Sequence, residues 1–326
     1  MRKKSIAILL CLTLVLTLFT GCKKMEVVWE SNLGENTLLK IEKETVSVEE
    51  AKLIMLSLRN LYIEAMGEEL IDSAQNVSDF EDYLRRIVLS ELAKTKTMVL
   101  LAGEKGVTLS EDEKKTANKA ANAFFDELTD AEKEYIALDV EDIERLYMDY
   151  ALSDKLYRTL SGGVSSEVSD DDARVMKVKQ IVLSVKANAD EITSKLMAGA
   201  DFTELANRYS EVSSREYLLY RQDMSDLVYA AISSLNDGQY TPCIKEDGKY
   251  YFYYVVSKIE REETDENKLV IVKEREKEAV DDVYEEYRAG INSSYNETVL
   301  NALTIKDAKG INTAGFFKIF NKYFPK

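Results

Sequence analysis

No proline occurs between residue 23 and residue 241. A proline inside a helix removes a backbone hydrogen bond and clashes with the preceding turn, so its absence leaves long helices unbroken from within. Helix starts recur in this span. Ser47-Val48-Glu49-Glu50 is a capping box, in which the Ser side chain and the Glu satisfy orphan N–H groups. Ser78-Asp79-Phe80-Glu81, Ser110-Glu111-Asp112-Glu113 and Thr129-Asp130-Ala131-Glu132 cap three further helices, and Asp139 or Glu141 opens a fifth that Gly162-Gly163 closes. Apolar residues follow at helical spacing, first Ala51, Ile54, Leu58, Leu61, Tyr62 and Ala65, then Leu84, Ile87, Val88 and Leu92. A short strand over 37–42 and then helices to about residue 160 are expected.

The pattern changes after the glycine pair. Arg174–Val185 is rich in Val and Ile and predicts a strand. Helices are expected over Ala187–Ala198, Phe202–Tyr209 and Ser225–Leu235. Tyr240–Lys245 and Lys249–Ile259 predict two strands across a turn at Asp247-Gly248. This order makes a small α+β domain. A long charged helix over Glu266–Ala289 and a tail with Phe316, Phe317, Phe320, Tyr323 and Phe324 end the chain.

The first residues carry a different signal. Arg2, Lys3 and Lys4 precede an apolar stretch over Ile6–Phe19. Spanning a bilayer takes about 20 apolar residues, so this stretch fits the core of a signal peptide instead. Phe19-Thr20-Gly21-Cys22 follows and resembles a lipobox, in which the Cys thiol receives diacylglycerol. Residues 1–21 are then a lipoprotein signal peptide, Cys22 the lipidated first residue and 22–36 a tether. Export and lipidation would leave Cys243 as the one free thiol, expected as a buried bystander in a strand, and no internal disulfide would hold the fold. The chain contains no His, which excludes His-dependent triads and His-ligated metal sites; no cofactor is expected. Its formal charge of −16 argues against nucleic acid as a partner.

Residues 175–258 resemble a parvulin-type peptidyl-prolyl isomerase domain. Lys179-Gln180-Ile181-Val182-Leu183 matches the first strand, and Gly199-Ala200-Asp201-Phe202-Thr203-Glu204-Leu205-Ala206 with Tyr209-Ser210 matches a characteristic helical stretch. Met224, Leu235-Asn236-Asp237-Gly238 and Lys249 through Val255 fall where the family has its loop Met, a turn and the last strand. The flanking helices, with Leu38–Glu49 and Leu100–Glu113, resemble those of PrsA-type and SurA-type foldases. The resemblance implies an α+β fold: a helical chaperone module over 37–165, a parvulin-like domain over 174–260, and a C-terminal helix and tail over 261–326 packed on the first module.

Carried over residue by residue, the family's working positions fall on Gln180, Val212, Met224, Val228 and Tyr251, and only Met224 keeps the family's residue. Two imidazoles become Gln180 and Tyr251, the acid or thiol becomes Val212 and the pocket Phe becomes Val228. The resemblance thus implies a membrane-anchored, extracytoplasmic foldase that binds unfolded or proline-containing secreted polypeptides, with weak or lost isomerase activity. An active isomerase with a rebuilt site and a scaffold lipoprotein binding one partner remain alternatives.

Overall fold

The structure, a computed structural model, describes residues 28–29, 33–67, 74–213, 216–306, 308, 310–313 and 315–325. Cys22 and the signal segment lie outside these residues. In chain order the elements are β1 (Val28–Trp29), β2 (Thr37–Ile41), β3 (Glu44–Ser47), α1 (Val48–Met66), α2 (Ala74–Glu104), α3 (Glu111–Glu127), α4 (Asp130–Ile136) and α5 (Val140–Ser161). Then come β4 (Val175–Leu183), α6 (Lys186–Met197), α7 (Phe202–Tyr209), β5 (Tyr217–Tyr220), a single 3₁₀ turn (Arg221–Asp223), α8 (Asp226–Ile232), β6 (Ile244–Glu246) and β7 (Lys249–Ser257). The chain ends with α9 (Arg261–Arg288), β8 (Ser293–Tyr295), α10 (Glu297–Ala302) and α11 (Gly315–Tyr323). Helices and small sheets mix in an α+β fold.

The chain divides into two compact units, one of residues 1–162 with 279–326 and the other of residues 163–278. Helix α9 therefore contributes its first turns to the second unit and its last turns to the first.

In the first unit, four helices begin as their sequences dictate. Ser47, Ser110, Thr129 and Asp139 each cap a helix through a reciprocal pair of bonds with the residue three positions on. Each such cap contributes about 1 kcal/mol. Helix α2 departs from expectation: it is already helical at Ala74, so Ser78 lies within the helix and not ahead of it. Nothing in Ala74-Gln75-Asn76-Val77 forbids helix, and Ser is tolerated in a first turn. The expected tether also shortens. Val28–Trp29 pairs in parallel with Ser294–Tyr295, giving a sheet of order β1-β8-β2-β3 that joins the two ends of the sequence.

The core of this unit includes Leu38, Leu53, Ile54, Leu84, Phe124, Tyr147 and, from the far end of the chain, Phe316 and Phe320. The tail aromatics form α11, whose buried residues Phe316, Ile319 and Phe320 share one face. The Phe316 ring stacks on Tyr147 at 4.6 Å and meets Phe124 edge-on at 5.5 Å. The Tyr147 hydroxyl donates to the Phe316 carbonyl at 2.8 Å, so this buried phenol is satisfied. A second cluster packs Met98, Leu101 and Leu156 against Val280 and Tyr284 of α9.

The second unit is a four-stranded antiparallel sheet of order β5-β4-β7-β6. Successive side chains of a strand face opposite sides, and both sides here are buried. Ile181 and Leu183 of β4, with Phe252 of β7, pack against α6 and α7 through Ile192, Leu196, Phe202 and Leu205. Met176 and Val178, with Tyr253 and Val255, pack on the other side against Val228 and Ile232 of α8. Asp247 and Gly248, at φ 46° and 76°, make the tight turn between β6 and β7. Such paired positive φ angles suit Asp-Gly and match the twist of the flanking strands.

Two expectations are corrected here. Strand β6 begins at Ile244, so Cys243 precedes it and is exposed, not buried. Pro242 has no N–H to place in a ladder, which delays the strand. Tyr217–Tyr220, where no strand is expected, forms strand β5. Among the described residues no helix is long and apolar enough to cross a membrane.

Candidate functional site

Strand β4 places Gln180 on the same face as Met176 and Val178, and β7 places Tyr251 and Tyr253 on that face as well. Gln180 stands opposite Tyr253, and Val182 opposite Tyr251. The rings of Tyr251 and Tyr253 lie parallel, with centroids 6.4 Å apart. From β5, the Tyr217 hydroxyl donates to Gln180 Oε1 at 2.9 Å. The apolar floor is Met224 and Val228, both buried. Ser225 holds them in place by capping α8, its Oγ accepting from Val228 N–H at 3.2 Å.

Four of the five positions read from the sequence therefore meet on one face of one sheet: Gln180, Met224, Val228 and Tyr251. Val212 lies on a loop beside the same strand, where Ser210 Oγ accepts Val182 N–H at 3.2 Å and the Val182 carbonyl accepts Glu211 N–H at 2.9 Å. It is 39% exposed on the loop after α7, and its N–H donates to Ser210 Oγ at 3.4 Å. Tyr217 and Tyr253 are not among those five positions. Alternation along β7 carries the signal for Tyr253, two residues beyond Tyr251. No motif marks Tyr217.

The electrostatics are those of neutral hydrogen-bonding groups. Burial, together with the neighbouring Tyr251, pushes the Tyr253 phenol up to about 12. Burial raises Tyr217 further, with a smaller push from Tyr253. Both stay protonated across the physiological range and can donate. Among the described residues, no hydrogen bond engages the hydroxyls of Tyr251 and Tyr253 or the amide nitrogen of Gln180. These groups can hold a neutral amide. Among the described residues, no group of three His, Cys, Asp or Glu could hold a metal.

The first unit carries a separate open cavity of about 270 Å³. Val48, Tyr135, Val299 and Leu303 supply an apolar wall, with Lys52 and Glu35 at its polar side. Lys52 Nζ sits 5.5 Å from the centre of the Tyr135 ring.

No protein-family model matches the chain. No curated protein matches it either. Solved structures do. The peptidylprolyl isomerase PrsA of Bacillus cereus is similar at 18% identity over 90% of this chain and 100% of that one, with a TM-score of 0.40. PrsA of Bacillus anthracis is similar at 21% identity over 68% and 97%, with a TM-score of 0.34. A structure from work on two SurA-like chaperones of Campylobacter jejuni is similar at 14% identity over 79% and 98%, with a TM-score of 0.29.

Proposed function

We propose that this chain is an extracytoplasmic chaperone of the foldase type, tethered to the bacterial cell membrane by lipid on Cys22, with little or no prolyl isomerase activity. The observation that supports this most is the group of neutral donors formed by Gln180, Tyr217, Tyr251 and Tyr253 over a floor of Met224 and Val228. Within it, Gln180 and Tyr251 stand where the resemblance implies two imidazoles, and Val212 takes the position of the acid. Rotating an X-Pro bond crosses a barrier of about 20 kcal/mol. An electrostatic network lowers such barriers, and losing one donor from one costs about 10²–10³ in rate. A face with no imidazole and no acid can still hold a peptide amide while leaving that barrier almost untouched. Binding unfolded chains needs only apolar and amphipathic surface, which the tyrosines of this face supply.

The test is aggregation of a reduced, unfolding client protein in the presence of the mature chain. Suppression at near-equimolar amounts is expected. No suppression at any ratio would remove the chaperone reading and favour a scaffold role. The tether is tested separately: Cys22→Ser should move the protein out of the detergent phase, and unchanged partitioning would contradict lipidation.

A further inference from the structure

Strand β5 is an outer strand of the second unit's sheet, and among the described residues no strand pairs with its free side. The surrounding bonds show which backbone groups face outward. Val175 donates its N–H to Thr264 Oγ1 and accepts Glu260 N–H at its carbonyl, so it turns away from Tyr220, its partner across β4 and β5. One residue earlier, the Arg174 carbonyl accepts from Arg221 N–H. Antiparallel ladders alternate bonded and non-bonded pairs, so Met176–Leu219 and Val178–Tyr217 are the bonded ones. The N–H and C=O of Leu218 and the N–H of Tyr220 therefore point out of the sheet.

Natural sheets guard such edges with Lys, Pro or bulges, because an open edge recruits further strands. The sequence Tyr217-Leu218-Leu219-Tyr220 has none of these guards. Its side chains are apolar or aromatic, and Tyr217 joins the edge to the candidate site through Gln180. The charges at its ends are mixed: Glu216, just before the strand, pairs with Lys179 at 3.5 Å, and Asp226 lies 3.8 Å from Arg221, while exposed Asp223 has no ion pair among the described residues.

We propose that this edge takes up an extended client segment as a fifth strand of the sheet. This deepens the chaperone reading and rests on it. The fitting segment is about four residues of alternating β-branched or apolar character, with a Lys or Arg at its end to meet Asp223. Side chains opposite Tyr217 and Leu219 would then lie on the face that carries Gln180 and Tyr251.

The experiment uses the mature chain and a fluorescent peptide Lys-Thr-Val-Thr-Val-Lys, with anisotropy for binding and hydrogen exchange for individual amides. Peptide should slow exchange at Leu218 and Tyr220. Leu218→Pro removes an outward N–H together with a half-buried leucine side chain, and proline is a residue that edge strands accept. It should weaken binding about tenfold, equivalent to about 1.4 kcal/mol, with the thermal midpoint nearly unchanged. A peptide N-methylated at alternate amides tests the same bonds without touching the protein, and only one of its two registers should bind. Unchanged exchange at both amides, or equal binding by both N-methyl registers, overturns the proposal. So does protection of Leu218 by self-association without peptide. If the wild type suppresses aggregation yet fails these tests, the edge proposal falls alone; if it does neither, the chaperone reading falls with it.

Discussion

Tyr217 and Gln180 link adjacent strands by one side-chain hydrogen bond, the phenol donating to Oε1 at 2.9 Å. It ties a strand with no family signature to a position that the sequence singled out. Tyr217→Phe removes the bond while keeping the ring, and a bond of this kind is worth about 1 kcal/mol. Urea unfolding should show that loss and little more. A loss several times larger would mean that the hydroxyl supports the sheet through other partners.

Phe316 stands at the junction of Tyr147, Phe124 and Tyr150 in the first unit. Phe316→Ala leaves a cavity among fully buried rings and should cost about 3–5 kcal/mol. The comparison is Phe317→Ala, half-buried beside it, which should cost clearly less. Equal losses would show that α11 is held by its outer rather than its inner face.

Glu132 combines a helix cap with a long-range tie. Its Oε2 accepts from Thr129 N–H and Oγ1, both at 2.8 Å, and its Oε1 accepts from Asn312 N–H at 2.8 Å. Burial alone would raise its pKa, but these bonds outweigh burial and hold the carboxyl below its ordinary 4.5. A depressed folded value gives stability that is present above the ordinary value and lost as pH falls through the folded one. Glu132→Gln should therefore destabilise the protein by about 1–3 kcal/mol at neutral pH. The gap from wild type should close in acid, below about pH 4.5. A gap constant with pH would mean that the carboxylate charge contributes nothing.

The buried tyrosines govern the alkaline side. Burial raises Tyr217, Tyr147 and Tyr150, and it brings Tyr253 to about 12. Raised folded values give stability that is complete below the ordinary 10 and lost as pH climbs through the folded values. In a phenolate absorbance titration, part of the 19 tyrosines should stay un-ionised past pH 10 and appear only as the protein unfolds. A single smooth titration of all tyrosines, with the fold intact, would contradict their burial.

Much of the fold is legible in the sequence because the signals are local. Ser47, Ser110 and Thr129 start helices where their capping residues stand, and Phe202–Tyr209 forms over the expected residues. What escaped was non-local. Val28–Trp29 reads as a tether until Ser294–Tyr295 arrives from the other end of the chain to pair with it. Strand β5 has four residues and no alternation of polarity, so only its pairing with β4 identifies it. Cys243 precedes Ile244 in a strand-like run, which predicts burial, but the strand begins only at Ile244, after Pro242. At the site, strand alternation predicts that Tyr253 accompanies Tyr251. The contribution of Tyr217 depends on a hydrogen bond across strands that spacing cannot reveal.

The central claim is that the face of Gln180, Tyr217, Tyr251 and Tyr253 holds polypeptide without catalysing rotation about its prolyl bonds. Refolding of a protein whose slow phase is limited by prolyl isomerisation tests it most directly, followed with increasing amounts of the mature chain. The account predicts a slow phase whose rate constant stays at the uncatalysed value, in wild type and in Gln180→Ala and Tyr251→Phe alike. A rate that rises in proportion to the added chain, and falls back in Gln180→Ala or Tyr251→Phe, would contradict it and show a working isomerase built from these residues.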